Sequence, residues 1–382
     1  MNNYINQIKG SASMELIAKA KELKEKGVDV IGLGGGEPDF DTPQSIKEVA
    51  ISELLRGNTH YSIGKGILKL RESISHKLYS DNGINVSSEE IIVTPGAKMA
   101  IYLAVRACIN VGDEVMILKP GWVSYKEIVV SAGGIPVEVE LQPENGYKLL
   151  LENLEEKVTK KTRILIVNTP NNPTGRVLTI EEINVIKEFV RNRNIVIISD
   201  EVYEKIVFDG LKTISPASDL ELRAKTITIN GFSKGYAMTG WRVGYLAADK
   251  KFINVILKLY THTITGIPPF IQEAAAVALG CNEEIEWMRN EYEKRRNRFI
   301  TELNRINGIS VELPNGAFYA WVKFENYECN SKQLAKKLLE KAHVIGVPGQ
   351  AYSDNANEYI RFSFANHEKE LLEAVKRIAN VM

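Results

Sequence analysis

The chain is poor in several features that would narrow its class at once. It has only three cysteines, Cys108, Cys281 and Cys329, spread over 382 residues with no CxxC pair. An odd, scattered set of thiols argues against a disulfide framework and against a zinc site, and it fits a reducing compartment. Net charge is also missing, because 48 Lys and Arg balance 48 Asp and Glu. A balanced chain has no global field with which to draw nucleic acid or an anionic membrane, so partners must be argued from local sites. No run approaches the roughly 18 apolar residues of a membrane-spanning helix. Residues Met1–Gly10 are polar and carry no apolar core of a signal peptide. The expectation is a cytoplasmic protein without a structural metal.

What is present is a globular composition, 44% hydrophobic and 25% charged. At roughly 100–200 residues per domain the length suggests two domains. Short β-branched runs recur through the middle of the chain: Ile91–Val93, Glu114–Leu118, Ile135–Val139, Thr162–Val167, Ile195–Ser199, Thr226–Asn230 and Gly244–Ala247. Helical patterns separate several of them, at Ala97–Cys108, Val123–Ala132 and Ile180–Arg193. Such alternation predicts an α/β unit around a mostly parallel, buried sheet. The ends read differently, with helices at Met14–Lys26, Cys281–Asn307 and Ser331–Lys341 and strands at Ala317–Phe324 and Tyr359–Phe364. The expected division is a large domain over 46–284 and a smaller α+β domain made from 1–45 and 285–382.

Parallel sheets bind ligands at the carboxyl ends of their strands, and the unusual residues fall there. Gly32 to Gly36 is glycine-rich but fails the dinucleotide spacing, since the third glycine would fall at Glu37. Glycines there suit positive φ or close approach of backbone to a ligand. Gly96-Ala97-Lys98 follows a strand and opens a helix, where backbone N–H groups can bind phosphate. Trp122 follows another strand, as do Asn171-Asn172 and then Asp200-Glu201-Val202-Tyr203. An Asp just past an apolar strand is costly to bury without a partner, and a cationic ligand group would resolve that cost. Lys234 follows the next strand, with Ser233 before it and Arg242 beyond. A lone lysine is ordinarily a solvated surface charge. Lysine, carboxylate, amide, aromatic and arginine together are the inventory of pyridoxal-phosphate chemistry.

The ordered series Gly36–Pro43, His60-Tyr61 through Arg71, Val93–Lys98, Trp122–Tyr125, Asn171–Gly175, Ser199–Tyr203, Ser233–Arg242 and Tyr359–Ser363 spans nearly the whole chain. It resembles the class I aminotransferases of pyridoxal-phosphate fold type I, close to bacterial aspartate and prephenate aminotransferases. The resemblance implies that Lys234 holds the cofactor covalently and acts as general base, and that Asp200 pairs with its ring nitrogen. It further implies that Tyr203 and Asn172 bond the phenolic oxygen and that Trp122 stacks on the ring. Gly96, Ala97, Lys98 and Arg242 would hold the phosphate, with Tyr61 reaching it across a homodimer interface. Arg361 would clamp the substrate α-carboxylate beside Gly36. Lys98 and Ser13 match positions that can meet a distal carboxylate, so aspartate or glutamate is expected among the donors and 2-oxoglutarate as acceptor. One departure stands out: many relatives have a hydroxyl three residues before the lysine, where this chain has Gly231, and Ser233 follows instead.

The activity so implied is ping-pong amino transfer between an L-amino acid and a 2-oxo acid. A carbon–sulfur β-lyase on the same fold would use the same lysine, aspartate and arginine. A cofactor-binding regulator would need a separate DNA-binding unit, for which the motifs, beginning near residue 32, leave no room.

Overall fold

The computed structural model describes residue 6, residue 8, residue 10, residues 12–325 and residues 329–382, without the side chains of 12–17. Strand β1, Ile31–Gly32, is short and comes first. Seven strands then build the main sheet: β2 Ile91–Thr94, β3 Glu114–Lys119, β4 Ile135–Glu140, β5 Thr162–Asn168, β6 Val196–Asp200, β7 Thr226–Gly231 and β8 Gly244–Ala248. Their order is β2-β8-β7-β6-β5-β3-β4. Only β8 runs against its neighbours, so the other six send their carboxyl ends to one edge. The central strands are buried almost throughout, which is why β5 reads in the sequence as the continuous apolar run Ile164–Val167 rather than as an alternation, while β7 is equally buried but alternates Thr with Ile.

The remaining strands are β9 Ile309–Val311, β10 Tyr319–Phe324, β11 Val344–Ile345, β12 Val347–Pro348 and β13 Tyr359–Ser363. Four of them form an antiparallel sheet in the order β12-β13-β10-β9. Helices Asn282–Leu303 and Glu368–Ala379 contribute to the same apolar core as this sheet. Strand β1 pairs in parallel with β11, and the Ser363 N–H donates to Leu33 O at 2.7 Å. Those bonds draw Gly34–Gly36 alongside the end of β13, although more than 300 residues separate them in sequence.

The expected class, an α/β fold with a mostly parallel central sheet, is the observed one, and each of its seven strands lies within a residue or two of its predicted span. The helices expected over Ile180–Arg193 and Cys281–Asn307 stop earlier, at Val190 and Leu303. Two further elements differ. The run Ala317–Phe324 becomes a strand only at Tyr319, because Ala317 has φ of 57° and ends a turn. The helix from Ser331 is α-helical to Lys337, widens into a π turn over Leu338–Ala342, and stops at His343 with φ of 53°. Among the described residues no helix is long and apolar enough to cross a membrane.

Candidate active site

The edge to which six strands point collects the polar residues singled out from the sequence. Asp200 ends β6, Asn172 follows β5, Trp122 follows β3, Ala97 follows β2 and Lys234 follows β7. The order of connection reverses between β3 and β5, and such a switch point opens a crevice outside the strand ends. Arg361 comes from β13 of the other sheet, and its guanidinium donates to Asn172 Oδ1 at 3.2 Å. That bond ties the two sheets together at the site.

Three ionisable groups here lack an ion-pair partner among the described residues. Arg361, 4% exposed, donates to the carbonyls of Gly34 at 2.7 Å and Gly35 at 3.2 Å, and its Nε–H has no partner. Asp200 is buried and accepts from the Tyr125 hydroxyl at 2.6 Å and the Val202 N–H at 3.3 Å. Lys234 donates its amine to Gly36 O. Burying a charge without a counter-charge disfavours the charged form. Burial accordingly pushes the Asp200 carboxyl up to about 6, against the opposing pull of Tyr125, the Val202 N–H and Lys234. Burial likewise pulls Lys234 down to about 8; Glu37 opposes this, while Arg361 and Arg242 reinforce it.

The helix Ala97–Cys108 begins beneath this set. Its N-cap is Gly96, with φ of 81° and no side-chain cap, so the first N–H groups are open to an anion. A Cβ on Gly96 would lie 2.6 Å from an Arg242 nitrogen, so the bare glycine lets the guanidinium approach the helix start. Gly244, paired with Gly231 across β7 and β8, is constrained in the same way, since its Cβ would lie 2.7 Å from Ala97 N. At Gly231 itself a Cβ would lie 3.2 Å from Gly244 Cα. The close glycine pair gives a physical reason for the absence of a hydroxyl residue at that position. Ser233 is buried. The Lys98 ammonium lies 4.9 Å over the Trp122 ring, and its pKa is lowered by desolvation first and by Arg242 second.

One sequence expectation does not join this cluster within the chain, and a second lies outside the described side chains. Tyr61 is 94% exposed, and among the described residues it has no hydrogen-bond partner. Ser13 falls in the helix Ala12–Glu25, but its side chain lies outside the described residues. Four site residues received no role from the sequence. Tyr125 bonds Asp200; Asn168 accepts from the Asn172 N–H and donates to Asp200 O. The Tyr319 and Tyr352 rings lie 4.3 and 5.3 Å from the Arg361 guanidinium. Tyr125 sits inside the Trp122–Tyr125 motif, three residues after the tryptophan, and that spacing could have flagged it. Tyr319 depends on the register of β10 against β13, for which the sequence carries no local signal. Among the described residues no cluster of three or more His, Cys, Asp or Glu could hold a metal ion.

The arrangement suits a flat ligand with a phosphate at the helix start, a cationic ring nitrogen at Asp200 and a carbonyl near Lys234, together with a carboxylate at Arg361. Comparison with known proteins agrees in class. The family described as aminotransferase class I and II matches residues 28–378. A probable aspartate/prephenate aminotransferase of Aquifex aeolicus is 43% identical over 99% of this chain and 97% of its own. Aromatic-amino-acid aminotransferase 2 of Thermococcus litoralis is 41% identical over 96% of this chain and 95% of its own. The solved aspartate aminotransferase of Thermus thermophilus with maleate superposes with a TM-score of 0.95 at 37% identity, covering 100% of this chain and 99% of that one. These relatives carry aminotransferase names and lend no support to the lyase reading. The chain is an enzyme that transfers amino groups, and it belongs to the class I and II aminotransferases.

Proposed function

We propose that the site holds pyridoxal 5′-phosphate on Lys234 and moves an amino group between an L-amino acid and a 2-oxo acid, with aspartate or glutamate among the donors. The observation that carries this reading is the convergence of Lys234, Asp200 and Arg361 without ion-pair partners among the described residues. Buried charges are ordinarily paired or neutralised. An aldehyde, a ring nitrogen and a substrate carboxylate would complete the three groups in turn.

The residues present fit the group. The uncapped helix start at Gly96, Ala97 and Lys98, with Arg242 against it, suits a phosphate. Asp200, raised to about 6 when it lacks a cation, would be drawn back toward the ionised form by a protonated ring nitrogen. Tyr203 and Asn172 suit the phenolic oxygen, Trp122 the ring face, and Ser233 the phosphate side of Lys234. When bound, pyridoxal phosphate supplies an electron-withdrawing ring and the carbon that carries the amino group between substrates. Lys234 Nζ, with a pKa of about 8, is neutral in a minor but appreciable fraction near physiological pH, and in that form it can take a proton from the substrate Cα. Arg361, beside Gly36, has a free Nε–H to offer the α-carboxylate that both substrates share. Reduction of the loaded protein with borohydride should leave the cofactor fragment on the peptide containing Lys234; a label on any other lysine would remove Lys234 from the mechanism.

The substrate class rests on less. The named relatives divide between aspartate, aspartate/prephenate and aromatic amino acids. Lys98 is the cation available for a distal carboxylate, lying over the Trp122 ring, with Ser13 as a second group. Lys98→Ala should lower kcat/KM for aspartate at least about tenfold more than for alanine, the loss of one charge-assisted hydrogen bond. Equal losses would assign Lys98 to the phosphate alone.

We also propose a homodimer in which Tyr61 reaches the partner's phosphate. Tyr61 has no hydrogen-bond partner among the described residues, and residues 51–68 expose Ile51, Leu55, Ile63 and Leu68 as well. Exposed apolar surface of this kind marks association sites. Sedimentation equilibrium should report a dimer, and Tyr61→Phe should weaken cofactor retention without altering that mass. A fully active monomer would contradict the assignment.

A further inference from the structure

Tyr319 is buried, at 1% exposed, and touches three parts of the site at once. Its ring lies 4.3 Å from the Arg361 guanidinium carbon. Its hydroxyl lies 2.7 Å from the Tyr203 hydroxyl, and the two rings meet edge to face at 5.7 Å. A Cβ on Gly36 would lie 2.8 Å from that same hydroxyl, so Tyr319 also packs on the backbone whose carbonyl takes the Lys234 amine. A phenylalanine would fill the same volume without the cost of burying a hydroxyl. The hydroxyl therefore invites a reason.

Two phenols that share one hydrogen bond use one proton and leave the other free. Which proton is free depends on which phenol donates. Burial raises the pKa of both hydroxyls, Tyr203 well above its ordinary value; at Tyr319 the Arg361 guanidinium, 4.3 Å from the ring, is the main influence opposing that rise, which makes Tyr319 the stronger donor. Tyr203 then accepts, and its own proton remains to be given elsewhere. We infer that Tyr319 is a positioning residue: its ring steadies Arg361, and its hydroxyl, donating to Tyr203, directs the Tyr203 proton toward the phenolic oxygen of the bound cofactor. The inference rests on the cofactor assignment above. It adds a physical link between the group that grips the substrate carboxylate and the group that tunes the cofactor.

The test uses the loaded enzyme and four variants with two readouts. The first readout is the pH midpoint of the cofactor's visible absorbance; the second is the dissociation constant of succinate, an unreactive dicarboxylate. A proton donated to the phenolic oxygen favours its ionised form and lowers the midpoint. Tyr319→Phe should therefore raise the midpoint by about half a unit or more while leaving succinate affinity within about threefold. Tyr319→Leu, which also removes the ring, should weaken succinate roughly tenfold, the size of a desolvated cation–π contact. Tyr203→Phe should raise the midpoint as well, and the double Tyr203→Phe, Tyr319→Phe variant should add nothing to it; these two variants keep the test decisive if Tyr319→Leu does not fold. A midpoint unmoved in Tyr319→Phe would overturn the hydroxyl's role, as would additive shifts in the double variant. Unchanged succinate affinity in a folded Tyr319→Leu would overturn the role of the ring. If the unsubstituted protein acquires no absorbance with the cofactor, the cofactor assignment fails, and the inference that rests on it fails too.

Discussion

Burying a charge without its counter-charge is among the most expensive things a fold can do, and this fold buries Asp200 and Arg361 in one crevice, with Lys234 half-buried beside them. Lys234 faces a carbonyl, Asp200 a hydroxyl and an amide, and Arg361 two carbonyls and an amide oxygen. Isolated charges in such surroundings shift their pKa values or wait for a partner. The surrounding structure must hold them there against that cost. It does so with six strands whose carboxyl ends share one edge and with a second sheet that brings Arg361 to that edge.

Glycine makes the close approaches possible. Gly96 lets Arg242 reach the helix start, and the Gly231–Gly244 pair lets the turn at Ala97 lie against the sheet. The segment Gly34–Gly36 is held by the β1–β11 pairing and supplies carbonyls to Arg361 and Lys234. Backbone oxygens are weaker partners than carboxylates. They can satisfy a guanidinium or an amine while leaving room for a ligand carboxylate or carbonyl to compete.

The sheet was legible because buried parallel strands are contiguous apolar runs, and Ile164–Val167 or Ile197–Ser199 cannot be mistaken for a surface pattern. Asp200 was legible because it ends such a run, and Lys234 and Asn172 because each lies a few residues past the end of a strand. Arg361 came only through resemblance, since nothing local to Tyr359–Ser363 announces that β13 will meet Gly34 and Asn172. Tyr319 and Tyr352 remained hidden for the same reason: their role arises from contacts between elements distant in sequence. Tyr125 was visible as part of a motif, but its bond to Asp200 depends on how β3 and β6 lie in the sheet. The turn at Ala317 and the π segment at Leu338–Ala342 are local backbone choices that apolar periodicity does not encode.

The central claim is that Lys234 is held as an amine poised to lose its proton. Competitive acetylation of the cofactor-free protein with trace acetic anhydride, read peptide by peptide across pH, tests it directly, because only the neutral amine reacts. A depressed pKa makes the amine reactive at lower pH than usual, so labelling of Lys234 should rise through a midpoint near 8, well below the ordinary lysine value of 10.5. A Lys234 midpoint close to that ordinary value would contradict the account.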